Sequence, residues 1–177
     1  MSPTVFTRKT GARGSIRYDV VRLNDAHVAG YEKLVGTKTT IWVQWICYQL
    51  DHNRFGRHGV REMLWRRPDQ PSRPGWDEIP CGIADPVVKA GGAAWPTTGI
   101  VTLTFLLQEF PVIHLLNWYR SRGIWTYYWS PKPRLSHKTM DDNDHNPARE
   151  RAWIERLQRQ GRVVLVNDDD QWHATAS

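Results

Sequence analysis

Residues 39–50 read Thr-Thr-Ile-Trp-Val-Gln-Trp-Ile-Cys-Tyr-Gln-Leu, and this stretch is the strongest strand candidate in the chain. β-Branched and aromatic residues dominate it, and these side chains favour a pleated, half-buried surface. Because apolar residues fall on both sides of the strand, the pattern predicts a central or partner-covered strand and not a solvent-exposed edge.

The segments on either side of this strand predict a mixture of strands and extended connections. Residues 1–14 are expected to be extended, because Pro3, Gly11 and Gly14 interrupt any regular element. A strand is predicted at Ser15–Leu23 from its alternation, and a short strand or a helical turn at Val60–Trp65. The prolines of Arg67–Gly75 predict an extended connector, followed by a single helical turn at 76–79.

The second half of the chain contains its most apolar run, Ile100–Tyr119. Gln108, Glu109, Pro111 and His114 interrupt this run, so it is not a convincing membrane span. A strand at 100–107 and a short helix after Pro111 are predicted instead, with another strand at 124–129.

The clearest helix signal covers residues of about 146–161. Asn146 can cap this helix, Pro147 suits its first position and Gly161 ends it. A short strand is predicted at Val163–Val166, and the following Asp168–Asp170 are expected to belong to a solvated acidic tail.

Bulk composition limits the classes of partner. The chain has 177 residues and a mass of 20.6 kDa, which is one domain's worth by length. Ten Trp are more than a chain of this size can readily bury, so some are expected against a partner. A net charge of +6 suits nucleic acid, anionic lipid or an acidic protein surface without choosing among them.

No catalytic signature is present in the sequence. It has no Gly-rich phosphate loop, no dinucleotide fingerprint and no nucleophile elbow. His52 and His58 could form an acid–base pair near Asp51, and Cys47 and Cys81 could join them around zinc, but the spacings are not specific. We therefore predict no enzyme activity, no catalytic residue, no cofactor and no metal.

Nucleic acid is the competing class of partner. Arg57, Arg61, Arg66 and Arg67 surround Trp65, and basic residues beside an aromatic ring suit backbone contacts with base stacking. Acidic residues are mixed throughout the segment, and it follows no recognised nucleic-acid module. The sequence therefore favours a protein partner and no nucleic acid.

Several motifs in series resemble one protein family. They are Gly11-Ala12-Arg13-Gly14, Arg17, Arg22-x-Asn24-Asp25-Ala26, Leu34-Val35-Gly36, Tyr48 with Asp51 and Asn53, Phe55-Gly56-Arg57-His58, and Pro74-Gly75-Trp76 with Asp85-Pro86. In this order they resemble the alpha-subcomplex subunit twelve family of mitochondrial complex I, which includes mimitin-type assembly factors. The family usually has Trp-Val after the Gly-Arg-His motif, where this chain has Gly59-Val60, and two spacers are longer here.

The resemblance implies a function and a location. It implies a non-catalytic accessory subunit of NADH:ubiquinone oxidoreductase, peripheral on the matrix side of the mitochondrial inner membrane and near the junction with the membrane arm. Its partners would be other matrix-arm subunits, with a contact to anionic lipid, no transmembrane span and no free homo-oligomer. The alternatives are a mimitin-type assembly factor and a basic organellar RNA-binding or ribosomal protein.

The resemblance also implies a fold and a set of interaction residues. The family's fold would be a small antiparallel sheet with long irregular arms, and the C-terminal helix predicted from the residues at about 146–161 makes the expected fold class α+β. Residues 1–86 would form the family-like core and 87–177 a divergent extension. The residues expected to contact neighbouring subunits or to fix the motif turns are Arg13, Arg17, Arg22, Asn24, Asp25, Tyr48, Arg57, His58 and Trp76.

Overall fold

The computed structural model describes residues 4–10, 16–24, 26, 28–30, 32–45, 59–66, 71–85, 87, 96–116 and 147–166. Seven strands, three α-helices and one 3-10 turn have described bounds within these ranges, and Asp85 and Val87 are also helical. In chain order they are β1 (Thr4–Thr10), β2 (Ile16–Leu23), α1 (Glu32–Val35), β3 (Ile41–Trp45), β4 (Arg61–Trp65), β5 (Asp77–Ile79), the 3-10 turn (Cys81–Ala84), α2 (Thr98–Glu109), β6 (Ile113–Leu116), α3 (Pro147–Arg159) and β7 (Val163–Val166).

The seven strands form one sheet in the order β5-β4-β3-β2-β1-β6-β7. Only β1 runs against the others: it pairs antiparallel with β2 and with β6. The remaining four pairs, β2–β3, β3–β4, β4–β5 and β6–β7, are parallel. Strands β1–β5 come from the chain before residue 86, and β6 and β7 come from the chain after it. β1 lies between β2 and β6 and so joins the two groups.

One face of the sheet, here called the helical face, packs against α2 and α3. Val21, Val43 and Met63 point to this face from neighbouring strands and are fully buried. They belong to one apolar cluster with Leu103 and Leu106 of α2 and with Ile154 of α3. Removing this apolar surface from water is the main term that stabilises the fold, at roughly 25 cal/mol per Å².

The opposite face, here called the second face, is covered in part by irregular connections. Arg22 on β2 contacts the connection that precedes β3, and Trp42 on β3 contacts the connection that precedes β5. The chain moves one way along the sheet from β2 to β5 and the other way from β5 to β7. Crossover connections between parallel strands are nearly always right-handed. Connections that run in opposite directions along the sheet must therefore lie on opposite faces.

The prediction of an antiparallel sheet is wrong, although an α+β content is confirmed. Parallel pairing needs a crossover of a dozen residues or more, usually a helix. In their described part, the crossovers within residues 24–76 contain only the four-residue α1. The sequence therefore has no long helical pattern from which parallel pairing could be predicted. The extended conformation expected at residues 1–14 is confirmed for residues 4–10, which form the strand β1 inside the sheet.

In residues 98–116 the structure has a helix where a strand was predicted and a strand where a helix was predicted. The predicted strand at 100–107 lies inside the helix α2, and the predicted helix after Pro111 is the strand β6. A continuous apolar run does not distinguish a buried helix from a buried strand by periodicity alone. The deciding signal is Thr97, whose side chain accepts a hydrogen bond from the Ile100 amide and caps α2.

Other predictions are confirmed in the described residues. Strands occur at Ile16–Leu23, Ile41–Trp45, Arg61–Trp65 and Val163–Val166, and the C-terminal helix covers Pro147–Arg159. The helical turn expected at 76–79 is instead the strand β5. The strand predicted at 124–129 lies outside the described residues. In the part of the chain that the structure describes, no helix has the length and apolar character needed to cross a membrane.

Candidate binding surface

Arg22 lies inside the chain and not on an exposed surface. Its side chain is 1% exposed on the second face of the sheet. It donates to the Thr39 hydroxyl at 2.9 Å and to the carbonyl oxygens of Gly36 and Lys38 at 3.1 and 3.2 Å. A guanidinium presents several donors in a rigid fork, so one residue can hold a whole turn of backbone. Arg22 therefore fixes the connection between α1 and β3.

Asn24 ends β2 in a left-handed conformation, with a φ of 46°. Its amide N–H donates to the Val43 carbonyl, and its own carbonyl accepts from the Trp42 indole at 2.8 Å. Its side-chain oxygen accepts from the Trp45 amide at 3.0 Å, while its side-chain nitrogen donates to the Thr98 hydroxyl at 3.3 Å. Asn24 thus holds the turn expected of it and also joins β3 to the start of α2.

Trp76 is placed on the second face by the Pro74–Gly75 turn, in which Gly75 has a φ of 82°. Its ring centroid is 5.3 Å from that of Trp42, at an interplanar angle of 55°. The Arg73 guanidinium lies 5.2 Å from the Trp76 ring centroid, a cation–π distance. Trp76 and Arg73 are half-buried, whereas Trp42 is buried. We call Trp42, Trp76, Arg73 and Gln44 the Trp76 platform.

Gln44 completes the platform from inside the sheet. Its side-chain oxygen accepts a hydrogen bond from Arg73 at 2.6 Å, which fixes the orientation of the amide. Gln44 is fully buried, and its side-chain nitrogen has no hydrogen-bond partner. Loss of Arg73 would leave the buried Gln44 oxygen unsatisfied as well, at a cost of about 1–3 kcal/mol, so Arg73 is worth more to the fold than a surface arginine. The sequence signal for this site is Gln44 itself, a polar residue inside the apolar stretch 39–50.

The other predicted interaction residues are not brought into this surface by the described part of the structure. Arg17 lies in β2 opposite Lys9 of β1. Arg13, Asp25, Tyr48, Arg57 and His58 lie outside the described residues, and their roles stay predictions. Trp76 is therefore the one predicted residue that the described structure places in the platform.

The segment considered for nucleic acid is occupied by contacts within the chain where it is described. Arg61 pairs with Asp77 at 2.6 Å and with Glu109 at 3.0 Å, and the bond to Asp77 raises the pKa of Arg61 above its ordinary value. Arg66 makes a two-pronged contact with Glu78, with both N–O distances at 3.0 Å. Trp65 is buried at 3% exposure and cannot stack on a base. These residues tie β4 to β5 and α2.

The carboxyl ends of the parallel strands are where the first turns of α2 and α3 meet. Glu150 of α3 accepts from the Thr97 amide at 2.8 Å and from the Thr97 hydroxyl at 2.9 Å. The carboxylate thereby satisfies a donor at the start of α2 and complements the positive end of that helix. No sequence pattern marks this contact, because it joins residues 53 positions apart.

Among the described residues, no group of three or more His, Cys, Asp and Glu is placed to hold a metal ion. Cys47, His52 and His58 of the zinc set considered above lie outside the described residues, and Cys81 is an exposed free thiol.

The fold and surface together define a mixed α/β protein with a mostly parallel sheet, wound in both directions, that carries a half-buried Trp–Arg platform on its second face. Comparisons with protein-family models, with characterised proteins and with solved structures give no match.

Proposed function

We propose that this chain is a non-catalytic binding protein that joins a larger assembly through the Trp76 platform. The observation that carries the proposal is the stack of Trp42, Trp76 and Arg73, whose outer members are half-buried on the second face. Trp and Arg are the residue types that most often dominate binding energy at protein interfaces. The Gln44 contact holds Arg73 in place before a partner arrives, so less side-chain entropy is lost on binding.

The particular assembly that we propose is mitochondrial complex I, with the chain as an accessory subunit on the matrix arm. Support comes from the order of the family-like motifs, which includes the Pro74-Gly75-Trp76 of the platform, and from the basic net charge of +6. The mostly parallel sheet differs from the small antiparallel sheet that the resemblance implied. The proposal therefore rests on the motifs and the platform and not on the fold.

Two rivals make different predictions about where the protein is found. A mimitin-type assembly factor would bind the same complex only during its construction, before the mature enzyme forms. An organellar RNA-binding protein would sediment with RNA and leave it at high salt.

The test is native electrophoresis of mitochondrial membranes carrying a tagged copy of the chain, stained in parallel for NADH dehydrogenase activity. We expect the tagged protein to migrate with the active band, and the Trp76→Ala and Arg73→Ala variants to be reduced there about tenfold, as a hot-spot loss of about 1.4 kcal/mol would give. The matched control is Arg66→Ala, because Arg66 lies on the same face but is paired with Glu78.

The outcomes separate the proposals. Tagged protein found only in smaller, inactive assemblies would identify the chain as an assembly factor. Signal in an RNA-containing particle contradicts complex I. A Trp76→Ala variant that still assembles like the unmodified chain contradicts the role of the platform, whatever the assembly.

A further inference from the structure

Arg73 of the Trp76 platform carries a positive charge that no carboxylate of the described residues balances. Its guanidinium donates to the Gln44 side-chain oxygen at 2.6 Å and lies 5.2 Å from the Trp76 ring centroid, and both of these groups are uncharged. Arg66, on the same face, is by contrast paired with the Glu78 carboxylate at 3.0 Å. Arg73 therefore offers its charge to a group from outside the described part of the chain.

The guanidinium of Arg73 is held in a position that suits an incoming anion. It has five N–H donors in one plane, and the contact with Gln44 uses one of them. Arg73 is half-buried, so part of its hydration has already been removed in the folded chain. A group that is fixed and partly desolvated before binding loses less side-chain entropy and less hydration when a partner arrives.

The charges around the platform restrict the kind of anion that can approach. Glu62 of β4 lies opposite Trp42 of β3 in the register of the sheet, and Glu78 of β5 lies beside Arg66 on the same face. A nucleic acid gains its affinity by having several phosphates neutralised at once. It would meet one platform cation, Arg73, and two nearby carboxylates. A single carboxylate from a protein needs only the one guanidinium.

We propose that Arg73 binds a carboxylate of a partner protein, while the exposed part of the Trp76 ring packs against an apolar side chain beside that carboxylate. The inference rests on the proposed function, because it specifies the chemistry of the partner that meets the platform. A guanidinium and a carboxylate form two parallel hydrogen bonds, which add directional specificity to the charge attraction. The tryptophan ring supplies the apolar contact area next to this polar anchor.

The test is a cross-link from position 73. Arg73→Lys keeps the positive charge and introduces an amine, which a water-soluble carbodiimide couples to a carboxylate in contact with it. The tagged full chain is treated in its native assembly, and mass spectrometry identifies the residue that is joined to position 73. We expect an Asp or Glu side chain, or a C-terminal carboxylate, of another protein in the assembly.

Arg66→Lys is the matched control. Because Arg66 is paired with Glu78, its replacement should give a link within the chain and none to a partner, which also shows that the reagent works on this face. Arg73→Gln removes the charge but still offers a donor to Gln44, and it should reduce the assembled fraction about tenfold. Arg73→Lys should reduce that fraction less, because it keeps the charge and loses only the two-pronged geometry.

Circular dichroism establishes that each variant is folded, and the outcomes separate this inference from the proposed function. An assembled Arg73→Lys chain that is coupled to no partner carboxylate, while the control gives its internal link, overturns the inference and leaves the proposed function standing. Equal losses of assembly in Arg73→Gln and Arg73→Lys also overturn it. A chain that enters no assembly overturns both. Release of the chain by nuclease, without a carboxylate link, assigns Arg73 to a nucleic-acid phosphate and overturns the inference.

Discussion

Asn24 shows how one residue joins three parts of this fold. Its left-handed backbone ends β2, and its hydrogen bonds reach β3 and the first residue of α2. Asn tolerates this backbone region better than most residues, because its short polar side chain can bond locally. Here that side chain bonds instead to partners far along the sequence.

Two substitutions at Asn24 separate its backbone role from its side-chain role. Asn24→Gly keeps the favourable backbone and loses the side-chain bonds to Trp45 and Thr98, at a cost of about 1–2 kcal/mol. Asn24→Ala loses the same bonds and adds left-handed strain of about 1–2 kcal/mol, which exceeds the extra flexibility that Gly gives the unfolded chain. Urea unfolding should therefore rank the free energy of unfolding as Asn, then Gly, then Ala. An Ala variant as stable as the Gly variant would show that the backbone at residue 24 is not strained.

The sequence predicted a turn at Asn24 and a hydrogen-bonding role for Arg22, but it could not predict their partners. Residue type supplies the donors and the tolerance for the turn, which are local properties. The partner of the Asn24 side chain, Thr98, is 74 residues away. A contact of this kind follows from the order of the strands, which no single segment contains.

At the scale of elements, α2 and α3 are coupled through Glu150 and Thr97. The Glu150 carboxylate on α3 accepts hydrogen bonds from the amide and the hydroxyl of Thr97 at the start of α2. Both residues are half-buried. The two helices therefore hold each other's position over the sheet, beyond the apolar contacts that they share.

Replacing Glu150 tests this coupling. We expect Glu150→Ala to lower the free energy of unfolding by about 1–2 kcal/mol, because two donors at Thr97 lose their acceptor. Glu155→Ala on the same helix is the matched control, and its exposed position predicts a change within about 0.5 kcal/mol. Thermal or urea unfolding followed by circular dichroism measures both. Equal effects of the two variants would mean that the contact between Glu150 and Thr97 adds no stability beyond that of an exposed glutamate on this helix.

The wrong assignments within residues 98–116 have one physical cause. In residues 98–116 the apolar residues are continuous, so neither the helical nor the strand period can be recognised. In α3, by contrast, polar residues on one side and Ile154 and Leu157 on the other give the helical period directly. The local pattern therefore predicted α3 and misassigned α2 and β6.

At the scale of the whole molecule, β1 holds the sheet together. It lies between β2 and β6, so the pair β6–β7 reaches the other four strands only through it. The pairing of Thr4 with Leu116 spans most of the chain, and no signal in residues 1–14 announces it. The sequence predicted only an extended segment there, because a strand whose partners are distant looks like any other extended segment.

A proline in β1 should therefore disrupt the fold more than a proline in an edge strand. Thr7 pairs with Asp19 of β2 and Ile113 of β6, so Thr7→Pro removes an N–H from a strand bonded on both sides. We expect a loss of about 3 kcal/mol or more, from the missing bond, the unsatisfied acceptor and the steric clash. Thr7→Ala separates the loss of the side chain from the loss of the N–H.

The matched substitution is Asp77→Pro at the first residue of β5, which is an edge strand. Proline is tolerated at such positions, and the exposed ion pair with Arg61 is worth only about 0.2–1 kcal/mol, so a loss of about 1 kcal/mol or less is expected. Hydrogen exchange of the amides in β6 and β7 tests more directly whether β1 links the two halves of the sheet. If β1 is the link, Thr7→Pro must remove protection from β6 and β7 even when β2, β3 and β4 stay protected. Retained protection in β6 and β7 would show that the packing of α2 and α3 alone holds the two halves of the sheet together.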